Sequence, residues 1–154
     1  MTKRRALFLC TGNSSRSQMA EAPVYALLGD TWQAASAGTH PAPQVNPLAV
    51  QAMAELGLDV SAAQPKRVDG FRGEPFDLVV TLCDDAAGNC PLWLGRGAVV
   101  HMGLPDPTAV EGDEPQRLAA FRAVRDGIRE KVATLSAWTE PPPANLGLDL
   151  QRKM

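Results

Sequence analysis

Apolar residues fall along this chain in two alternating patterns. Short near-continuous runs give way to stretches with apolar positions three and four apart. Arg5 to Cys10 reads as a first strand, and Ser17 to Leu28 as a helix closed by Gly29. Trp32 to Ser36 is a short second strand. Asn46-Pro47 is a helix start, with Asn as cap and Pro in the first turn. Ala49, Met53 and Leu56 line one face of that helix, and Gly57 ends it. Phe76 to Leu82 and Ala98 to Met102 are two further apolar runs of the kind a parallel strand shows when buried on both faces. From Asp113 a long helix runs to about Ala137, with Phe121, Val124, Ile128, Val132 and Leu135 forming one stripe.

Four strands alternating with helices predict an α/β fold, a three-layer α/β/α sandwich around a four-stranded parallel sheet. Reactive residues of such a sheet gather at the carboxyl ends of its strands. Cys10, Cys83 and the stretch from His101 to Asp106 all fall at such ends. Pro23, in the second turn of the first helix, removes one hydrogen bond and favours a kink. Residues 1–140 read as one domain, and 141–154, opening with three prolines, as an appended tail.

The first strand runs straight into Cys10-Thr11-Gly12-Asn13-Ser14-Ser15-Arg16-Ser17. The bare spacing C-x5-R arises by chance in many chains. A strand before it, small polar residues inside it and a helix after it make it specific. Thr11 to Ser15 are small enough for the backbone to curl with its N–H groups inward, a nest for a tetrahedral anion at a helix N-terminus. The same donors favour a thiolate at Cys10, which becomes a nucleophile toward phosphorus or arsenic. Arg16 fits a clamp on two anion oxygens through its planar fork. Ser17 can hydrogen-bond the Cys10 sulfur, or serve as an ordinary helix-start serine. Asp106, between Pro105 and Pro107, fits either a plain turn or a general acid for the departing oxygen.

Composition narrows the partners. The 154 residues are 45% hydrophobic and 21% charged, with 15 Lys and Arg against 17 Asp and Glu. No long basic stripe invites nucleic acid. The apolar stretch behind Lys3-Arg4-Arg5 is too short for a signal-peptide core or a membrane span, so a cytoplasmic location and no membrane partner are expected. In a reducing compartment three cysteines suggest reactivity rather than a staple. Cys83 and Cys90 are too widely spaced for an ordinary structural zinc site, and no metal is expected. They are two inert core cysteines, or a pair that attacks and then resolves an adduct on Cys10.

CTGNSSRSQMAEA, VTLCDDAAGNCP and the later DPT resemble the thioredoxin-coupled arsenate reductases, which share the fold and phosphate loop of the low-molecular-weight protein tyrosine phosphatases. The resemblance covers Ala6 to Leu135. It implies the strand order 2-1-3-4 and arsenate as substrate, with phosphate and sulfate as competing oxyanions, in arsenic detoxification. By motif, Cys10 is the nucleophile, Arg16 the clamp, Ser17 the thiolate stabiliser and Asp106 the general acid. Cys83 is the second cysteine and Cys90 the one whose disulfide thioredoxin reduces. Thr11, Gly12, Asn13, Ser14 and Ser15 join Arg16 in binding the oxyanion. No cofactor is bound in this reading; thioredoxin is the external reductant and the protein a monomer. Ser15 stands where some members have another cysteine. Some relatives hold potassium on residues aligned with Asn13, Glu21, Ser36 and an aspartate. Here Lys66 falls near the aspartate position, and its ammonium is expected to replace the ion. The rival readings are a small tyrosine phosphatase and, outside enzymes, an oxyanion-binding or thiol-sensing module.

If the Cys83 to Cys90 segment is helical when reduced, seven residues of rise separate the two Cα atoms by about 10.5 Å. A disulfide needs them within about 7 Å. The segment is therefore expected to unwind on oxidation, helped by Gly88 and Asn89, which are weak helix formers. Hydrogen exchange on reduced and oxidised protein measures this. Unchanged protection across Asp84 to Asn89, with the Cys83–Cys90 disulfide confirmed by mass spectrometry, refutes the unwinding.

Overall fold

The computed structural model describes residues 3–82, 98–137 and 149–151. Strands β1 (Arg4–Cys10), β2 (Trp32–Gly38), β3 (Leu78–Thr81) and β4 (Ala98–His101) form a parallel sheet in the order β2-β1-β3-β4. The four parallel strands and their order are those expected. A fifth strand, β5 (Asp149–Gln151), comes from the stretch read as a tail and pairs antiparallel with β4. Cys83 and Cys90 lie outside the described residues.

The strands are mostly apolar because both faces of the sheet are covered. Ala6, Phe8, Leu78, Val80 and Val100 face one core, shared with residues of all three helices. These are α1 (Arg16–Leu28), α2 (Pro47–Ala54) and α3 (Glu114–Ala133). Leu7, Leu9, Val79 and Val99 face the other way, against Val68, Phe71 and Phe76. Among the described residues that second face is covered by the short 3-10 helix Val68–Phe71 and by Phe76.

Helix ends follow their local chemistry. Asn46 caps α2 by accepting from the Leu48 N–H at 2.9 Å. At its far end the Leu58 N–H bonds the Met53 carbonyl and the Gly57 N–H the Ala54 carbonyl. Gly57 there has φ +76°, the left-handed residue such a double bond requires. Asp113 and Gln116 close a reciprocal capping box on α3. Phe121, Val124, Ile128, Val132 and Leu135 are all buried, as their spacing predicts. α1 runs unbroken through Pro23, which is buried, and the Met19 carbonyl has no i+4 N–H to accept.

β3 is shorter than its apolar run. The Arg5 N–H is taken by the Asp77 carboxylate at 2.8 Å while the Arg5 carbonyl accepts from the Asp77 N–H at 2.9 Å, and the paired register starts at Leu78. β2 is longer than expected and reaches Gly38, in register with Cys10. Cys10, Gly38, Thr81 and His101 thus stand at the carboxyl ends of neighbouring strands.

α2 and α3 are tied by charge as well as by packing. Arg122 grips both Glu55 oxygens, and Arg125 donates to Glu55 at 2.7 Å and to the Ala52 carbonyl at 2.8 Å. The hydrogen bonds from Arg122, then Arg125, hold the Glu55 carboxyl down from 4.5 to about 2. A carboxyl whose folded pKa is depressed stabilises the fold above its unfolded pKa and loses that contribution as the pH falls toward the folded one. Glu55→Gln is therefore expected to melt below the parent protein at pH 7. The gap should shrink as the pH falls below 4.5 and vanish near 2, as thermal melts across that range would reveal. A gap that stays constant contradicts the linkage.

Candidate active site

Between Cys10, the last residue of β1, and Arg16, the first of α1, five residues reverse the chain. Asn13 takes φ +49° to make the turn, a value asparagine tolerates better than most residues. The carbonyls of the loop all point outward. Thr11, Gly12 and Ser14 accept from the N–H groups of His40, Ala42 and Asn46 at 3.0, 2.9 and 2.8 Å. The Asn13 carbonyl accepts from the Gln18 amide at 3.2 Å, and that of Ser15 from the Met19 N–H at 2.9 Å. Peptide N–H groups oppose their carbonyls, so those of the loop face its centre. None of the described hydrogen bonds uses an N–H of Gly12, Asn13, Ser14 or Ser15. This is an anion nest at a helix N-terminus.

Gly38 makes the packing possible. A Cβ there would collide with the Thr11 carbonyl and stand 2.9 Å from that of Cys10. The buried Ser15 hydroxyl has no described partner; its residue caps α1 without the usual side-chain bond.

The nucleophile is addressed by a directed chain of hydrogen bonds. The Lys66 backbone N–H can only donate, and it reaches Asn13 Oδ1 at 2.8 Å. That fixes the Asn13 amide, whose Nδ2 donates to Ser17 Oγ at 2.7 Å. Ser17 Oγ, already an acceptor from Asn13, lies 2.8 Å from Cys10 Sγ, and toward a thiolate, which can only accept, the hydroxyl is the donor. Gln18, fully buried, braces Asn13 at both oxygens and also reaches the Gln64 carbonyl.

Arg16 is buried, with 7% of its surface exposed. Its Nη1 donates to the carbonyls of Leu104 at 3.1 Å and Leu82 at 3.4 Å. Its Nη2 lies 3.9 Å from Asp106 Oδ2. Nε and Nη2 make no described hydrogen bond, so one edge of the fork is held by backbone while the other is free to take two anion oxygens. Asp106 is itself oriented: its Oδ1 accepts from the Thr108 N–H at 2.9 Å and the Thr108 hydroxyl at 2.6 Å.

Cys10, the loop from Thr11 to Ser15, Arg16, Ser17 and Asp106 are thus brought together. Several parts of the site lack a motif of their own. Gly38 carries the signal of a glycine ending a strand. Gln18 is a buried polar residue in a helix. The N–H groups of His40, Ala42, Asn46 and Lys66 carry no signal, because a backbone donor is independent of residue type. The Lys66 ammonium donates to the Gln64 carbonyl at 3.0 Å, whereas Glu21 accepts from Ser36 at 2.8 Å.

The model of the family described as low molecular weight phosphotyrosine protein phosphatase matches residues 5–141. The arsenate reductase of Halalkalibacterium halodurans is 45% identical over 136 residues, which are 88% of this chain and 97% of that protein. An arsenate reductase solved in its phosphate-binding state superposes with a TM-score of 0.74 at 30% identity, over 87% of this chain and 97% of its own. The thioredoxin-dependent arsenate reductase of Corynebacterium glutamicum gives 0.60 at 25% identity, covering 90% of this chain and 64% of that one.

Because Asn13 and Ser17 act in series on one sulfur, their deletions should not add. Asn13→Ala and Ser17→Ala are each expected to lower turnover roughly tenfold, and the double variant little more than the worse single one. Steady-state kinetics of the three folded variants check this, and multiplicative losses would refute the series.

Proposed function

The chain belongs to the low molecular weight phosphotyrosine protein phosphatase family and, within it, to the arsenate reductases, and from that premise we propose that it reduces arsenate to arsenite through its cysteines, with thioredoxin as the source of electrons. The supporting observation is a buried cysteine at the base of an anion nest, with the Ser17 hydroxyl within hydrogen-bond distance of its sulfur.

Arsenate enters with its oxygens on the loop N–H groups and the Nε and Nη2 edge of Arg16. The Cys10 sulfur attacks arsenic, and a sulfur–arsenic bond replaces an arsenic–oxygen bond. Asp106, if protonated, gives its proton to the departing oxygen, which leaves as water. Cys83 then attacks the Cys10 sulfur. The sulfur–arsenic bond breaks, its electron pair stays on arsenic, and arsenite leaves behind a Cys10–Cys83 disulfide. Cys90 attacks Cys83, freeing Cys10 and forming the Cys83–Cys90 disulfide. Two electrons from a thioredoxin dithiol reset the enzyme. The roles of Cys83 and Cys90 come from their motif, since both residues lie outside the described structure. Arg16 donates to the carbonyl of Leu82, the residue just before Cys83, so the clamp also touches the chain that leads to the second thiol.

A second reading rests on the loop itself. Cys10, Arg16 and Asp106 suffice for phosphoryl transfer to sulfur and hydrolysis, without the other cysteines. Weak phosphatase activity toward aryl phosphates is expected to accompany arsenate reduction.

The deciding assay is arsenate-dependent NADPH oxidation with thioredoxin and its reductase supplied. Cys10→Ser should abolish it, because a neutral hydroxyl is a far poorer nucleophile than a stabilised thiolate. Substantial turnover by that variant would sink the assignment. Cys83→Ser should lose arsenate reduction yet keep hydrolysis of an aryl phosphate. If both activities vanish in a folded Cys83→Ser protein, the division of labour between loop and relay is wrong.

A further inference from the structure

Asp106 rides on a loop, and the path of that loop is set by a residue with no part in the chemistry above. β4 ends at His101, opposite Thr81 in the β3–β4 register. The imidazole is buried, at 9% exposure, and its Nδ1 lies 2.7 Å from Thr81 Oγ1. Its other edge lies against the backbone of Gly103. A Cβ at 103 would stand 2.8 Å from Nε2 and 3.5 Å from both Cδ2 and Cε1. The ring therefore fills the space between the end of β3 and the first turn of the acid loop.

Two backbone bonds stitch the same junction, Met102 N–H to the Thr81 carbonyl at 2.8 Å and Leu104 N–H to the Leu82 carbonyl at 3.2 Å. Beyond Leu104 the chain is stiff, because Pro105 and Pro107 flank Asp106 and fix φ on either side. A shift at Gly103 is thus passed along rather than absorbed. Among the described contacts the imidazole touches neither Cys10 nor the anion loop.

We propose that His101 is a positioning residue for the general acid: wedged between the Thr81 hydroxyl and the Gly103 backbone, it holds the loop where the Asp106 carboxylate stands beside Arg16. This rests on the reading of Asp106 as the acid. An acid within hydrogen-bond reach of the leaving oxygen contributes about 10²–10⁴ in rate. Displacement by about 1 Å forfeits a good part of that.

The test is arsenite release in a single turnover of pre-reduced full-length protein, with arsenate varied. His101→Leu should lower the maximal rate about tenfold and leave the half-saturating arsenate concentration within about twofold. His101→Asn, which keeps a polar atom near the Nδ1 position, should restore most of the rate. Thr81→Val, nearly isosteric, should fall in the same direction as His101→Leu and serves if the histidine variant does not fold. In an Asp106→Asn background His101→Leu should cost less than about twofold more, because the acid it positions is gone. Equal losses in both backgrounds overturn the proposal alone, as does a loss confined to half-saturation. A neutral Asp106→Asn overturns the role of Asp106, and this proposal with it.

Discussion

Five consecutive carbonyls, from Thr11 to Ser15, each accept a hydrogen bond on the outer side of the catalytic loop. Everything else in the site depends on that arrangement. A run of N–H groups can converge on one point only if the attached carbonyls diverge. Each diverging carbonyl that is buried costs roughly 1–3 kcal/mol if it finds no donor. The donors come from two directions. The segment around residues 40–46 supplies three backbone N–H groups, and α1 supplies the Gln18 side chain and the Met19 N–H. The nest is therefore held by its surroundings before any anion arrives, and binding reorganises little.

Arg16 extends the same economy of position to the neighbouring strands. In a parallel sheet the carboxyl ends of β1, β3 and β4 lie side by side, so one buried guanidinium can reach all three. Nη1 bridges the Leu82 and Leu104 carbonyls, and the Leu104 N–H in turn donates to the Leu82 carbonyl. Asp106 stands near Nη2. A lysine at this place would carry the charge but not the fork, and would release at least one of these partners. The anion clamp and the brace between strand ends are two edges of one planar group. Further back, β5 pairs with β4 along the edge that the parallel sheet would otherwise leave open, which protects a strand whose end carries the acid loop.

Much of this was legible in the chain. Cys10 to Ser17 announce the loop because catalysis needs particular side chains there in a particular order. The apolar runs announce the strands because both faces of a parallel sheet are covered. The stripe on α3 and the Asn46-Pro47 cap are local consequences of helix geometry. Boundaries moved where a distant group intervened. β3 begins after Asp77, whose carboxylate takes the Arg5 N–H. β2 runs on to Gly38 because that glycine is needed against the loop carbonyls. The Lys66 ammonium, expected to replace an ion held by residues aligned with Asn13, Glu21 and Ser36, bonds the Gln64 carbonyl, while the Lys66 N–H anchors the chain that ends at the nucleophile.

The division has a physical cause. Side-chain chemistry and periodicity are properties of residue type and spacing, so the sequence alone determined the α/β pattern, the nucleophile, the clamp and the candidate acid. Backbone donors and the polarity of a hydrogen-bond chain are properties of position. Any residue could offer the N–H of Lys66 or Ala42, and Asn13 could point either way in isolation. Only the tertiary structure, by bringing Lys66 against Asn13, Gly38 against Thr11 and His101 against Gly103, decided which way the Asn13 amide faces Ser17 and where the acid loop begins.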